Sequence, residues 1–173
     1  MFVRRAQAIR KAASSALPDL GEAPELLGVR PWLNIPDGEP VILARLIGSV
    51  VLIEFWAFAC GNCQRTLPFL RRIHRQYRPR LRVVGIHTPE LPLERPARNV
   101  ERAVRRHRLE FAVGQDNDFA AWDAYGNRYW PSLYLVDAAG HIRYTHIGEG
   151  CYRRTEAAIR ALLTDVRESI DET

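Results

Sequence analysis

A run of β-branched and aromatic residues, Val50-Val51-Leu52-Ile53-Glu54-Phe55, leads through Trp56-Ala57-Phe58-Ala59 straight into Cys60-Gly61-Asn62-Cys63. Such a run has the length and composition of a central buried strand. A buried strand that ends on a Cys-x-x-Cys at the head of a helix restricts the fold to a covered sheet with a helix leaving its carboxyl edge. The remaining pattern agrees. It predicts a helix over about 61–77, a second buried strand at Leu81–His87 and, after Pro89, Pro92 and Pro96, a polar helix over about 97–107. A short strand at Phe111–Val113 and a brief helix over Asp118–Tyr125 follow, then a hairpin of Ser132–Val136 and His141–His146, and a last helix over about 153–170. Upstream, five prolines between Pro18 and Pro40 mark an extended, loop-rich lead-in, and Val41–Leu43 is a short strand candidate. Strands alternating with helices and closing in a hairpin argue for an α/β fold with a mixed sheet.

With 173 residues, 47% of them hydrophobic and 26% charged, the chain has the makings of one globular domain with a sizeable core. No apolar run approaches the roughly 18 residues of a membrane span. The net charge of +5 is carried by 24 arginines and one lysine, Lys11. Arg71, Arg72, Arg75 and Arg78 stand at helical spacing opposite Leu70, Ile73 and Tyr77, as on a solvated helix face. Arg102, Arg105, Arg106 and Arg108 read the same way, so no nucleic-acid partner is expected. Residues 1–17 carry four basic and no acidic residues, and Arg10-Lys11 interrupts any apolar core of a secretory signal. They resemble a short basic amphipathic helix. The expected organisation is an amino-terminal basic extension over 1–22 and one domain over 23–173, and the reading of this terminus places the chain in the cytoplasm.

The chemistry lies at Cys60 and Cys63. Unpaired N–H groups at a helix start, and the dipole they report, favour an anion, so Cys60 is expected to be thiolate-prone and Cys63, one turn on, more buried and less ionised. One sulfur that attacks and one that resolves is the arrangement a dithiol–disulfide exchanger needs. A zinc site wants a second Cys-x-x-Cys or a His pair, whereas here only Cys151 and five scattered histidines remain. No metal and no organic cofactor is therefore expected.

The stretches APELLGVRPWLN, VVLIEFWAFACGNCQRTLPFL, VVGIHTPE, DNDFAAWDAYGNRYWPSLYLVDAAG and IRYTHIGEG resemble, in order, the thioredoxin superfamily. Within it they resemble the TlpA-like and DipZ-associated thiol:disulfide interchange domains. The resemblance implies a thioredoxin-like fold, Cys60 as nucleophile and Cys63 as resolving thiol. It matches Pro68 to the proline within the active-site helix, and Glu54 to a buried acid that relays a proton to Cys63, the alternative being a carboxylate on a solvated strand face. Trp56 matches the aromatic beside the redox centre, and Trp130-Pro131 the cis-proline opposite Cys60, where an extended substrate would bind. Glu90 and Glu94 read as loop acids near the rim, and Arg65, one turn from Cys63, as a solvated arginine, the alternative being a cation that favours a thiolate. The resemblance also implies protein thiols or disulfides as partners, a recycling redox partner such as a membrane electron carrier, and an extracytoplasmic address at odds with the amino terminus. The dipeptide Gly61-Asn62 lacks the histidine of strong oxidants, so a reductant is expected.

Two other readings use the same cysteines. A non-catalytic redoxin-like module or metal chaperone would bind copper or zinc through Cys60 and Cys63. A peroxidase would need a hydroxyl beside its cysteine, which Ala57-Phe58-Ala59 does not supply.

Overall fold

In the computed structural model, which describes residues 17–171, the hydrophobic run becomes strand β2 (Val50–Trp56), and all seven of its residues are buried. The six-stranded sheet has the order β1 (Trp32–Leu33), β4 (Ala112–Gln115), β3 (Leu81–His87), β2, β5 (Ser132–Val136), β6 (Ile142–Ile147). β2, β3 and β4 are parallel, whereas β1, β5 and β6 each run antiparallel to their neighbour. Parallel neighbours need crossovers, supplied by α1 (Gly61–Tyr77) and α2 (Ala97–Arg106). The short α3 (Ala120–Ala124) precedes the hairpin, and α4 (Tyr152–Asp171) follows it. This is a thioredoxin-like architecture.

The period of two along β2 divides the core. Val50, Leu52 and Trp56 belong to the cluster under α1 and α4, with Leu67, Leu70, Ile73, Ile159 and Leu162. Val51, Ile53 and Phe55 belong to the opposite cluster, with Trp32, Trp122, Tyr125 and Tyr134. Glu54 falls in the first register and lies between Leu52 and Trp56 on a covered face, only 1% exposed. The solvated-face alternative for Glu54 is thereby removed.

Most expected elements are present within two residues of their expected ends. The exception is Val41–Leu43. Leu43–Leu46 forms a 3-10 turn, because the Glu25 carboxylate takes the Leu43 and Ala44 N–H groups at 2.9 and 2.7 Å and the Ile42 carbonyl takes the Arg45 N–H at 3.0 Å. The lead-in also contains β1, two residues pairing with Val113 and Gly114, which is too short to leave a period in the sequence. Residues 17–23 are tied to the sheet edge: Leu20 N–H and Ala23 N–H donate to Ile142 and Gly140, and the Arg143 guanidinium reaches the Leu17 and Pro18 carbonyls. This stretch of the expected extension packs with the domain. The basic helix expected at 1–17 lies, apart from Leu17, outside the described residues. No helix among those residues is long and apolar enough to cross a membrane.

Gly114 shows how closely β1 is packed on β4. A Cβ there would run into Val29 and, at 2.9 Å, the Trp32 ring. Overpacking of this kind costs about 2 kcal/mol. Gly114→Ala should lose about that much stability in urea denaturation while keeping the native far-UV circular dichroism.

Candidate active site

β2 ends at Trp56, and four residues later Cys60 caps α1 from an extended conformation (φ −75°, ψ 114°). Its Sγ accepts the Cys63 N–H at 3.3 Å, and its carbonyl accepts the Gln64 N–H at 3.0 Å. A sulfur thus stands where an oxygen usually satisfies the orphan donors of a helix start. Cys60 is partly exposed and Cys63 fully buried, both as free thiols. Burial pushes the Cys63 thiol far up from its ordinary value, and hydrogen bonding to Cys60 and the nearby Glu54 act in the same sense. Burial alone drives Glu54 well above the usual carboxylate range, and its Oε2 has no protein partner.

The loop between β2 and α1 is held from below by two residues. His87, at the end of β3 beside Trp56, accepts the Phe58 N–H on Nε2 at 3.2 Å and stacks on the Phe58 ring. The Glu94 carboxylate accepts the Ala59 N–H at 2.7 Å and the Glu90 and Leu91 N–H groups at 2.8 Å each. Glu94 is wholly buried, so it is an anchor for the loop rather than a rim acid, while Glu90 stays exposed. Neither anchor was read as one from the sequence. The usable signals were the period of two placing His87 with Leu81 and Val83, and an acid at the third position of a proline-led turn.

Beside Cys60 opens a cavity of about 500 Å³, bordered by Asn62, Glu90, Arg128, Tyr129 and Trp130. The Trp130–Pro131 peptide bond is cis. The Trp130 ring lies 4.1 Å from that of Trp122 and donates its Nε1–H to the Thr88 carbonyl at 2.9 Å, so it forms a fixed wall. Pro131 is buried, with its carbonyl taken by the Gly148 N–H. Trp56, expected among the substrate contacts, is 1% exposed and packs in the core cluster that contains Cys63, away from the groove lining. Arg65 bonds Asn62 Oδ1 and pairs with Glu149 at 2.8 Å, which holds both over the first turn of α1. α1 continues through Pro68. Cys151 is exposed on the loop before α4 and does not line the groove.

The family model for AhpC/TSA matches residues 29–145, from the lead-in to β6. The chain belongs to the AhpC/TSA family. It is 40% identical over 158 residues to the protein DipZ of Mycobacterium bovis, which covers 91% of this chain and 23% of that protein. The chain therefore spans about a quarter of the length of that relative. It is 29% identical over 143 residues to the thiol-disulfide oxidoreductase YkuV of Bacillus subtilis, covering 82% of this chain and 94% of that one. The crystal structure of a thioredoxin-like superfamily protein superposes with a TM-score of 0.76 at 28% identity, over 83% of this chain and 96% of the other. As a family member the chain is a thioredoxin-superfamily redoxin domain, and its two neighbouring thiols sit at the start of α1, just after β2. Among the described residues no group of three or more His, Cys, Asp or Glu is gathered to hold a metal ion.

Burial lowers the His87 pKa to about 4. Its ordinary value is about 6.5, so between those values the unfolded chain binds a proton that the folded chain does not. The stability that neutral His87 allows is complete above pH 6.5 and is lost as pH falls toward 4, by roughly 3 kcal/mol. His87→Gln should flatten the fall in urea-denaturation stability between pH 7 and 4. His74 and His107, which burial shifts the same way, remain to give the residual slope.

Proposed function

We propose that this chain is a thiol:disulfide oxidoreductase that acts on protein cysteines, with Cys60 as nucleophile and Cys63 as resolving thiol. The observation that carries the reading is the asymmetry of the pair: one sulfur partly exposed on a helix amino terminus at an open groove, the other sealed in the core and held protonated. In the reducing direction, the Cys60 thiolate attacks a partner disulfide and one partner sulfur leaves as a thiol. Cys63 then gives its proton to Glu54 and attacks Cys60 Sγ, so the mixed disulfide breaks and the second partner sulfur departs. Two electrons have passed to the partner, and Cys60 and Cys63 are joined.

Glu54 suits the proton step because burial makes its carboxylate a stronger base than an exposed one, closer to the thiol it must deprotonate. The groove supports an extended peptide as partner. The backbone of Trp130 lies beside Cys60 before the ladder of β5 begins at Ser132, so it is placed to pair with an added strand. The absence of histidine between the cysteines supports a reducing role. An external donor must then re-reduce the disulfide, and the resemblance to interchange domains supports a membrane electron carrier in that place.

With a peptide disulfide as substrate, Cys63→Ser should accumulate the Cys60 mixed disulfide as a stable mass adduct, and Cys60→Ser should form none. Glu54→Gln should form the adduct at the normal rate and resolve it on the order of a hundredfold more slowly. Equal adduct on Cys60→Ser, or no adduct on either variant, would contradict the assignment.

A further inference from the structure

The buried acid needs a route for its proton, and β2 is covered on both faces. Across the sheet, Glu54 is in register with Leu133 on β5, and Leu133 with His146 on β6. Residues in lateral register point to the same face, so Glu54 and His146 share the α1 and α4 side. Two strand spacings put their backbones roughly 10 Å apart. A glutamate and a histidine extended toward one another over that span leave space for about one water. The structure holds that space: a cavity of about 10 Å³ bordered by Glu54, Thr66, His146, Tyr152 and Thr155, the scale of a single water site. Two of these lining residues carry a buried atom without a protein partner, Glu54 Oε2 and His146 Nε2. Two such orphans on one small cavity point to a shared bridging molecule. His146 itself is only half-buried, on the edge strand β6, so it borders both the cavity and solvent.

We propose that His146 is the outer station of a proton path, running from Cys63 through Glu54 and one water to His146 and out to solvent. The inference rests on the exchange reading above and adds its exit. In the resolving step the Cys63 proton moves to the Glu54 carboxylate as the Cys60–Cys63 bond forms. Glu54 then passes a proton to the water, the water passes one to His146 Nε2, and the ring releases one from its other nitrogen. No electrons move along this path, and when the disulfide is reduced the same path returns a proton to Cys63. Imidazole suits the station because it accepts a proton on one nitrogen and gives one from the other near neutral pH. The other titratable groups facing the cavity are Tyr152 from α4 and His146 from β6, and Cys63 of α1 lies off the lining, close enough to Glu54 to feel its charge. No Asp, Arg or Lys lines it, and Glu54 is its one carboxylate.

The test is the rate at which the full chain resolves a Cys60 mixed disulfide with a peptide, followed from pH 6 to 8. The variants are His146→Ala, His146→Gln and Glu54→Gln, with the Ala and Gln changes also combined. His146→Ala should resolve about tenfold more slowly, recover when imidazole is added to the buffer, and add no slowing in the Glu54→Gln background. His146→Gln, which fills the opening, should be slow and unrescued. If both His146 variants resolve at the normal rate while Glu54→Gln is slow, the path through His146 is wrong and the Glu54 relay stands. If Glu54→Gln is itself as fast as the parent, the relay reading fails first. Slowing by His146→Ala that imidazole does not relieve, or that adds to Glu54→Gln, would mark a packing role and overturn the proposal.

Discussion

The Cys60 sulfur accepting the Cys63 N–H is the contact on which the rest of the site depends. It places one sulfur at the positive end of α1 and at the groove, and it places the second one turn deeper. That geometry holds only while the loop from Ala57 to Ala59 keeps its course. The loop backbone has few partners of its own, and its amides are taken by His87 and Glu94, side chains from β3 and from the turn after it. Buried donors must be paired, so two residues remote in sequence from the cysteines determine where Cys60 sits. Trp130, fixed by Trp122 and Thr88, sets the facing wall. The reactive sulfur is thus held between two rigid supports, one attached to β3 and the other leading into β5.

Burying titratable groups around a redox pair has opposite consequences at His87 and Glu54. Burial holds His87 neutral, so its contribution weakens the fold as the pH drops. Burial raises Glu54, so the folded chain binds its proton more tightly than the unfolded chain, and that contribution weakens the fold as the pH rises above the ordinary carboxylate range. A leucine at position 54 would be the more stable choice for a covered strand. A carboxyl group kept there at a cost in stability, beside the deeper thiol, fits a role in moving that thiol's proton. Arg65 is a solvated arginine, as the sequence reading favoured, and Asn62 and Glu149 engage it on the surface.

Much of this was legible in the residues. The strand-to-helix turn, the bounds of α1 and β3, and the pairing of Cys60 with Cys63 follow from β-branched runs, helical spacing and one short motif. The side to which Glu54 points did not follow, because a strand covered on both faces shows no alternation of polar and apolar residues; only the register with Leu52 and Trp56 resolves it. Val41–Leu43 misled because its composition suits a strand while its Leu43 amide is claimed by Glu25, 18 residues upstream. Glu94 and His146 were silent for a related reason. Their roles arise from contacts across the sheet and between turns, and a single sequence read by local pattern carries no trace of such contacts.

The proposed exchange requires that Cys60 and Cys63 pass electrons as one unit. It is tested most directly by equilibrating the chain in glutathione buffers of graded potential, alkylating the free thiols and weighing the products. Cys60 and Cys63 should lose their thiols together in a single two-electron step as an intramolecular disulfide, with Cys151 independent of that step. A chain in which no buffer joins the two sulfurs, or in which each is capped by glutathione separately, would contradict it.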